Sequence, residues 1–378
     1  MSTSEKEGAM KSILVVGVRG LPEVKGGVEK HAERLFPLVA QRGWAISVAG
    51  MKPFLQPGQY NGVQLWRAPS LGIRKADRWL YAAATLIRAI RVRPDIVHFA
   101  RLESAALLLA YKLIGCKTVV RYGADCDAHP WSGPRKWTMR CAQYQLRWAD
   151  SIIALTPVLA KKLRASGKRR KIHVIGNAVD QPEHFPQEAR PRVSGDYILF
   201  VGQISQKKNI HRLISAFRVF SKRHPQVKLV IVGDWGKRTE RKQVEALNDD
   251  RIVTLGALPR SELGPLYRGA RFFVNPSVRE GHSNTLLEAI STGCPVLLSD
   301  LPENRDLRLD AKHYFNPADV RSMVSALGRA HANPRAYRVS PDRFPQWDNI
   351  AEQTVAGYYK LFAGDGTPRG AQQAAPRS

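Results

Sequence analysis

The chain alternates short apolar runs with longer segments of helical periodicity. From Lys11 the order is an apolar strand, a glycine-rich loop, an amphipathic helix over about residues 28–42 and a second strand beginning at Ala45. Runs such as residues 13–16 and 152–155 are apolar at every position, which is typical of parallel strands covered on both faces. The pattern predicts an α/β fold built from βαβ units.

The pattern stops and then restarts, which predicts two domains. Residues 177–196 contain three prolines and few apolar side chains, and strands and helices alternate again from Tyr197. We expect two doubly wound, Rossmann-like domains that face each other across a cleft. The predicted boundaries are a disordered start (1–10), an N-terminal domain (11–186), a linker (187–196), a C-terminal domain (197–340), a C-terminal helix that returns to the N-terminal domain (341–363) and a disordered tail (364–378).

The charge is strongly basic and unevenly distributed. Lys and Arg number 59 against 32 Asp and Glu, a net charge of +27. Residues 1–190 hold 31 basic and 14 acidic residues, or +17, which leaves +10 for the remainder. Such a balance favours anionic partners, namely nucleic acid, anionic lipid headgroups or phosphorylated substrates. An inert basic surface is the alternative.

The cysteines and the apolar runs predict a cytoplasmic protein. Cys116, Cys126, Cys141 and Cys294 are far apart, as expected for reduced thiols rather than a disulfide framework or a zinc site. The polar start lacks the apolar core of a signal peptide. The longest apolar runs are shorter than the roughly 20 residues that span a bilayer. Any membrane association is therefore expected to be peripheral, at the inner face of the plasma membrane.

Two segments combine basic and aromatic residues. Residues 74–93 carry six basic residues and one acidic residue around an apolar stripe with Trp79 and Tyr81, and residues 131–148 place Arg and Lys between tryptophans. This composition suits docking on an anionic bilayer. Two core-facing helices with solvated basic faces are the alternative.

The motif that carries most functional information is the stretch from Val278 to Asp300, VREGHSNTLLEAISTGCPVLLSD. If one α-helix carried both Glu280 and Glu288, they would lie about 12 Å apart along its axis. Glycosidase carboxyl pairs are separated by about 5–9.5 Å, so two contacts on one elongated ligand are favoured over a hydrolytic pair. The residues between them suit a helix N-terminus that binds an anion or sugar hydroxyls.

This stretch resembles the E-x7-E motif of retaining glycosyltransferases of the GT-B fold, in glycosyltransferase family 4 (glycosyltransferase group 1). Three further segments resemble the same family: VGQISQKKNIHRLISAF, VIGNAVD and the N-terminal GGVEKHAERL. Together they cover most of residues 11–362. The resemblance implies two facing Rossmann-like domains, the first for the acceptor and the second for the nucleotide sugar.

The resemblance also implies roles for individual residues. Glu288 is expected to accept hydrogen bonds from the ribose hydroxyls, Glu280 to lie beside the transferred sugar, and Lys208 to neutralise the donor diphosphate as the glycosidic bond breaks. Glu280 and Lys208 are the predicted catalytic residues. The predicted donor-binding residues are Gly26, Gly27, Gln203 (where the family commonly has arginine), Lys208, Glu280, His282, Ser283, Asn284, Thr285 and Glu288.

Register and local chemistry predict roles for further residues. Gly26 and Gly27 open the first helix, where a close backbone approach favours phosphate, although an ordinary tight turn is the alternative. The family often has a histidine in the loop that begins near Tyr122, so Tyr122 and Asp125 are predicted on the acceptor side. His98 is expected to be a hydrogen-bonded histidine at a strand end.

The implied reaction is sugar transfer from a nucleoside-diphosphate sugar to an acceptor hydroxyl with retention of configuration. The acceptor is expected to be a lipid-linked saccharide in bacterial exopolysaccharide or cell-surface glycan synthesis. The resemblance implies that no metal takes part, because enzymes of this fold generally hold the diphosphate with lysine, arginine and helix N-termini. No cofactor is expected, since the nucleotide sugar is itself a substrate. The alternatives are a nucleotide-sugar epimerase and a basic nucleic-acid-binding protein; no nucleic-acid motif supports the latter.

Overall fold

The computed structural model describes residues 10–123, 133–167, 171–180, 185, 193–236, 241, 242, 244 and 249–363. It divides the chain into two compact units. The first comprises Met1–Leu155, Leu159–Gly176 and Asp348–Ser378, and the second comprises Thr156–Val158 and Asn177–Trp347. Of the linker predicted at residues 187–196, only 193–196 are described, and they belong to the second unit. The predicted boundaries stay predictions.

The first unit contains an eight-stranded sheet in the order β3-β4-β2-β1-β5-β6-β7-β8. Neighbouring strands run parallel except for the hairpin of β3 and β4. The strands are β1 (Ser12–Val16), β2 (Ala45–Gly50), β3 (Gly58–Tyr60), β4 (Val63–Arg67), β5 (Ile96–Phe99), β6 (Lys117–Tyr122), β7 (Ser151–Ala154) and β8 (Lys171–Val174). The apolar runs at residues 13–16 in β1 and 152–154 in β7 are buried at every position. This burial explains why their sequences show no polar alternation.

Helices cover this sheet and connect its parallel strands. They are α1 (Gly27–Gln41), α2 (Arg74–Val92), α3 (Leu108–Leu113), α4 (Gly133–Gln145) and α5 (Pro157–Ala165), with 3-10 turns at Leu102–Leu107 and Leu146–Trp148. The helix predicted over residues 28–42 is thus α1, displaced by one residue at each end.

The second unit repeats this arrangement with a six-stranded, all-parallel sheet in the order β11-β10-β9-β12-β13-β14. The strands are β9 (Tyr197–Val201), β10 (Lys228–Val232), β11 (Ile252–Gly256), β12 (Phe272–Asn275), β13 (Val296–Ser299) and β14 (Tyr314–Phe315). The helices are α6 (Ile210–Phe220), α7 (Arg260–Gly269), α8 (Asn284–Ser291), α9 (Pro302–Arg305) and α10 (Val320–Ala332), with 3-10 turns at Gln206–Lys208, Ala311–His313, Pro334–Tyr337 and Pro341–Arg343. The predicted α/β class with two parallel-sheet domains is confirmed.

In both sheets the order of the strands reverses at the first strand of the unit, and this is the point where the sheet is said to change direction. In the first unit, β1 lies between β2 and β5, and in the second, β9 lies between β10 and β12. The loops after these central strands therefore depart to opposite sides and leave a crevice at the carboxyl edge of the sheet, which is where open α/β sheets bind ligands.

The last helix, α11 (Trp347–Tyr359), is assigned to the first unit from Asp348 onward. Its Tyr358 is 1% exposed, and the Tyr358 hydroxyl lies 2.7 Å from Nδ1 of the buried His98 in β5. Burial, and then the charge of Arg121, lowers the pKa of His98 to about 3, so the imidazole is neutral. The hydrogen bond anchors α11 to the sheet and bears out the expectation for His98.

Tyr358→Phe is expected to destabilise the protein by about 1–3 kcal/mol, because it leaves Nδ1 of a buried imidazole without its partner. Urea denaturation measures the free energy of unfolding. Tyr359→Phe is the matched control, since Tyr359 is 51% exposed and should change stability by no more than about 0.5 kcal/mol. Equal losses in the two variants would contradict this role for the buried hydrogen bond.

Candidate functional site

The point where the second sheet changes direction brings Lys208 and Glu280 together. Lys208 ends the 3-10 turn that follows β9, and Glu280 lies in the loop that follows β12. Their side chains are 13% and 10% exposed and form an ion pair. The loops are also joined through the backbone, because the Val278 N–H donates to the Lys207 carbonyl at 2.9 Å.

Two polar side chains after β12 complete the surroundings of Glu280. The Ser277 hydroxyl donates to Glu280 Oε1 at 2.8 Å, and the Asn275 amide lies 3.4 Å from the same oxygen. Burial alone would raise the pKa of the Glu280 carboxyl, but the Lys208 charge and the hydrogen bonds from Lys208 and Ser277 outweigh it and hold this pKa below its ordinary value. Glu280 is therefore ionised at neutral pH and accepts hydrogen bonds rather than donating a proton.

His282 is fixed by a turn that precedes β9 in the chain. The Asn177 backbone N–H donates to His282 Nδ1 at 2.7 Å, and the Asn177 side-chain amide donates to the His282 carbonyl at 2.9 Å. A nitrogen that accepts a hydrogen bond carries no proton, so the proton of the neutral ring is on Nε2. The NAVD turn and the E-x7-E loop, recognised as separate motifs, thus form one structure.

The residues Ser283, Asn284 and Thr285 begin α8, as their composition predicted. Ser283 is the residue before the helix, but in the described structure its hydroxyl does not cap the helix. Instead it lies 3.2 Å from the Thr285 hydroxyl and 3.4 Å from the Asn275 amide. The first backbone N–H groups of α8 therefore do not donate to the Ser283 hydroxyl. Helix N-termini suit anions and hydroxyl oxygens.

Glu288 belongs to a different set of contacts from Glu280. The helix α8 carries Glu288 but begins after Glu280, so the single-helix geometry used to estimate their spacing does not apply. Glu288 is buried; its Oε2 accepts from the Tyr267 hydroxyl at 3.1 Å, and its Oε1 lies 3.9 Å from Arg260. Arg260 also pairs with the buried Asp180. The two glutamates therefore occupy two distinct polar environments.

Sequence reasoning did not identify Tyr267, Arg260 or Asp180 as part of this arrangement. Asp180 lies within the NAVD turn that was recognised, and its Oδ1 accepts from the Trp347 indole N–H at 3.0 Å. Tyr267 and Arg260 lie on α7, where no motif singles them out. A tyrosine and an arginine are common on helices, so the sequence does not mark these two as special. Their role becomes visible only in the structure, where both side chains of α7 approach Glu288 on α8.

The remaining predicted residues lie elsewhere in their units. Gln203 is exposed after β9, and its carbonyl accepts from the Ser205 hydroxyl at 3.5 Å. In the first unit, Gly26 and Gly27 precede and begin α1, and Tyr122 is a buried residue that ends β6. Asp125 lies outside the described residues. The binding roles of all these residues stay predictions.

Two family models match adjacent parts of the chain. Residues 25–181 match the model described as Glycosyltransferase Family 4, and residues 180–339 match the model described as Glycosyl transferases group 1. The two matches meet close to the start of the second unit at Asn177.

Several relatives of this chain are named as mannosyltransferases. The chain is 28% identical to the GDP-mannose-dependent alpha-mannosyltransferase of Mycobacterium tuberculosis over 78% of this chain and 80% of that protein. It is also 28% identical to the O-antigen chain mannosyltransferase RfbU of Salmonella typhimurium over 44% of this chain, and 29% identical to the MMP alpha-(1->4)-mannosyltransferase of Mycolicibacterium hassiacum over 51%. These two matches cover only about half of each relative's own length, 46% and 49% respectively.

Solved structures share the fold over nearly the whole chain. Sucrose-phosphate synthase from Thermosynechococcus elongatus superimposes with a TM-score of 0.79 at 19% identity, covering 93% of this chain and 99% of that one. The Anabaena protein HepE, solved with UDP and glucose, superimposes with a TM-score of 0.69 at 14% identity, covering 93% and 100%. At these identities the likeness concerns the fold.

The two parallel-sheet units and the structural neighbours show that the chain has the GT-B fold, which confirms the predicted fold. The two family matches are more specific: the chain belongs to the glycosyltransferases of group 1 and family 4. The proteins named above are transferases and synthases, so neither the epimerase nor the nucleic-acid-binding alternative is favoured.

Tyr267→Phe is expected to lower the free energy of unfolding by about 1–3 kcal/mol, because the buried Glu288 loses a hydrogen-bond donor. A double-mutant cycle with Glu288→Gln, measured in urea, isolates the contribution of this pair. Energetic coupling of the two substitutions is expected. Strict additivity would show that the phenol and the carboxylate do not interact.

Proposed function

We propose that this protein transfers a hexosyl group from a nucleoside-diphosphate sugar to an acceptor hydroxyl with retention of configuration. The observation that carries the proposal is the partly buried Lys208–Glu280 ion pair at the point where the second sheet changes direction. A fixed cation there can stabilise the negative charge that grows on a departing diphosphate. The names of the relatives that act on GDP-mannose or hold UDP agree with this class of donor.

The proposed reaction breaks the bond between the anomeric carbon of the donor and the diphosphate oxygen. The acceptor oxygen forms its bond on the same face of the sugar, and the departing phosphate takes the acceptor proton. Lys208 and the start of α8 supply the stabilising charge, so we propose that neither a divalent metal nor a cofactor takes part.

The glutamates have different proposed roles. Glu280 remains ionised, so it accepts hydrogen bonds from sugar hydroxyls and orients Lys208. Glu288 accepts hydrogen bonds from the ribose, with its carboxylate held by Tyr267 and Arg260. The Nε2 proton of His282 and the α8 backbone add donors for sugar or phosphate oxygens.

The donor site is tested by isothermal titration with UDP, GDP, ADP and dTDP. Glu288→Gln is expected to weaken binding of the preferred nucleotide by about 1.5–3 kcal/mol, the range for hydrogen bonds to charged groups. Glu352→Gln is the control, because Glu352 is exposed on α11. Unchanged affinity in Glu288→Gln for every nucleotide that the wild type binds would remove Glu288 from the donor site.

We also propose that the first unit docks on an anionic membrane, where a lipid-linked saccharide acceptor would be found. On α2 the residues Trp79, Ile87 and Ile90 are exposed, and on α4 Trp137 is 61% exposed. The Trp79 and Trp137 rings lie 6.3 Å apart, so the two helices present one aromatic surface. Exposed apolar surface of this kind marks interaction sites.

Basic side chains surround this aromatic surface. Arg78 and Arg91 on α2 and Lys136 and Arg140 on α4 are exposed. The opposite face of α2 packs into the core, as the buried Tyr81 shows, so the helix contributes to both the core and the surface. Among the described residues, no helix meets the length and hydropathy needed to cross a bilayer. An interfacial arrangement therefore matches the exposed aromatic and basic residues.

Vesicle flotation tests the docking proposal. Replacing both Trp79 and Trp137 with serine is expected to reduce recovery with anionic vesicles by roughly tenfold or more, since burial of large apolar side chains is lost. Tyr359→Ser, at a similarly exposed aromatic residue on α11, should have little effect. If wild-type protein floats equally well with neutral and anionic vesicles, the electrostatic part of the proposal is wrong.

A further inference from the structure

The NAVD turn contacts two different parts of the proposed donor site. Its first residue, Asn177, fixes His282 through two hydrogen bonds. Its last residue, Asp180, pairs with Arg260, which in turn lies 3.9 Å from Glu288 Oε1. One turn therefore supports both the residue proposed to meet the sugar or phosphate and the residue proposed to meet the ribose.

The carboxylate of Asp180 is held firmly in the interior of the second unit. Its side chain is 0% exposed. Its Oδ1 accepts from the Trp347 indole N–H at 3.0 Å, and its Oδ2 accepts from Arg260 Nη2. The turn itself is fixed by the Val179 N–H, which donates to the Pro345 carbonyl at 3.1 Å. A buried carboxylate with a donor on each oxygen is a fixed negative charge.

Arg260 lies near two carboxylates but donates a hydrogen bond to only one of these two. Its Nη2 donates to Asp180, whereas the 3.9 Å between Nη2 and Glu288 Oε1 is too long for a hydrogen bond. Glu288 is thus attracted by the positive charge without accepting an N–H group from this arginine. The buried Phe185 ring, whose centroid lies 5.6 Å from Arg260 Cζ, adds a cation–π contact. Asp180 and Phe185 together keep the guanidinium group at this distance from Glu288.

This distance matters because Glu288 is proposed to bind hydroxyl groups. A carboxylate has about four acceptor positions, so Glu288 can keep its hydrogen bond from Tyr267 and also accept from two neighbouring hydroxyls of a ribose. A shift of about 1 Å would bring Arg260 within hydrogen-bonding distance of Glu288. Arginine and carboxylate form strong bidentate pairs, and such a pair would occupy the oxygens that the ribose needs. The position of Arg260 therefore decides whether Glu288 binds a ribose or an arginine.

We propose that Asp180 is a positioning residue for ribose recognition, because it holds Arg260 away from Glu288. The Glu288 carboxylate then accepts hydrogen bonds from the 2′- and 3′-hydroxyls of a ribonucleoside diphosphate. The inference rests on the role of Glu288 in the proposed function. It adds Asp180 and Arg260 as residues that determine selectivity for a ribonucleotide donor, although neither residue is proposed to contact the ribose itself.

Isothermal titration of the full chain measures this selectivity. The two probes are the nucleotide that the wild type prefers among UDP, GDP and ADP, and its 2′,3′-dideoxy analogue, which lacks both hydroxyls. The wild type is expected to bind the analogue at least about tenfold more weakly, because Glu288 loses its hydroxyl donors. Asp180→Asn keeps the shape of the side chain and releases Arg260. It is expected to weaken ribonucleotide binding at least about tenfold and to change binding of the analogue less than about threefold.

Further variants separate ribose recognition from folding, and thermal unfolding shows whether each is folded. In the double variant Asp180→Asn with Arg260→Gln, no guanidinium group competes for Glu288, so ribonucleotide affinity is expected to return to within about threefold of the wild type. Asp310→Asn is the control, because it changes a carboxylate that is 74% exposed and should leave both affinities unchanged. If Asp180→Asn does not fold, Trp347→Phe replaces it. Trp347→Phe removes the donor to Asp180 Oδ1 and is expected to lower the selectivity at least about twofold.

Three results would overturn the inference while leaving the proposed donor class in place. Equal losses of affinity for both probes in folded Asp180→Asn would show that Asp180 supports the unit without selecting ribose. Unchanged selectivity in Asp180→Asn, or in Trp347→Phe if that variant replaces it, would remove Asp180 from ribose recognition. No recovery in the folded double variant would show that Arg260 does not compete for Glu288. A wild-type protein that binds neither probe would instead contradict the proposed function itself.

Discussion

The structure depends on a constraint of parallel sheets, namely that successive strands all end at the same edge. Because each sheet changes direction beside its first strand, the loop after that strand and the loop after a much later strand become neighbours at this edge. In the second unit these loops carry Lys208 and Glu280, which are separated by 72 residues. In the first unit they carry Arg19 and Arg101 around Glu29. The same geometry has thus placed charged residues at equivalent points of two sheets.

The two glutamates of the E-x7-E motif show that the neighbours of a carboxylate in the protein interior determine its chemical role. Glu280 is held as an anion by Lys208 and by hydroxyl and amide donors, which suits a ligand-facing acceptor. Glu288 is positioned by Tyr267 and Arg260 from a neighbouring helix. Because buried carboxylates require such partners, the residues that support the motif constrain the site as strongly as the motif itself.

The excess of positive charge in the first half of the chain has two different structural forms. Part of it is exposed around the aromatic surface of α2 and α4. Another part, Arg121, is buried at the edge of the sheet, where a charge is costly unless another group compensates it. Net charge alone does not distinguish these forms, because a solvated arginine and a buried arginine contribute equally to composition.

The sequence by itself determined the α/β class, the repeated two-domain pattern and the start of α8, because apolar periodicity and helix-start residues act over short distances. It also identified the family through four ordered motifs. The tertiary structure decided that Glu280 precedes the helix that carries Glu288, that Asn177 fixes His282, and that Tyr267 and Arg260 support Glu288. These contacts join residues distant in sequence, and strand order rather than local pattern brings them together.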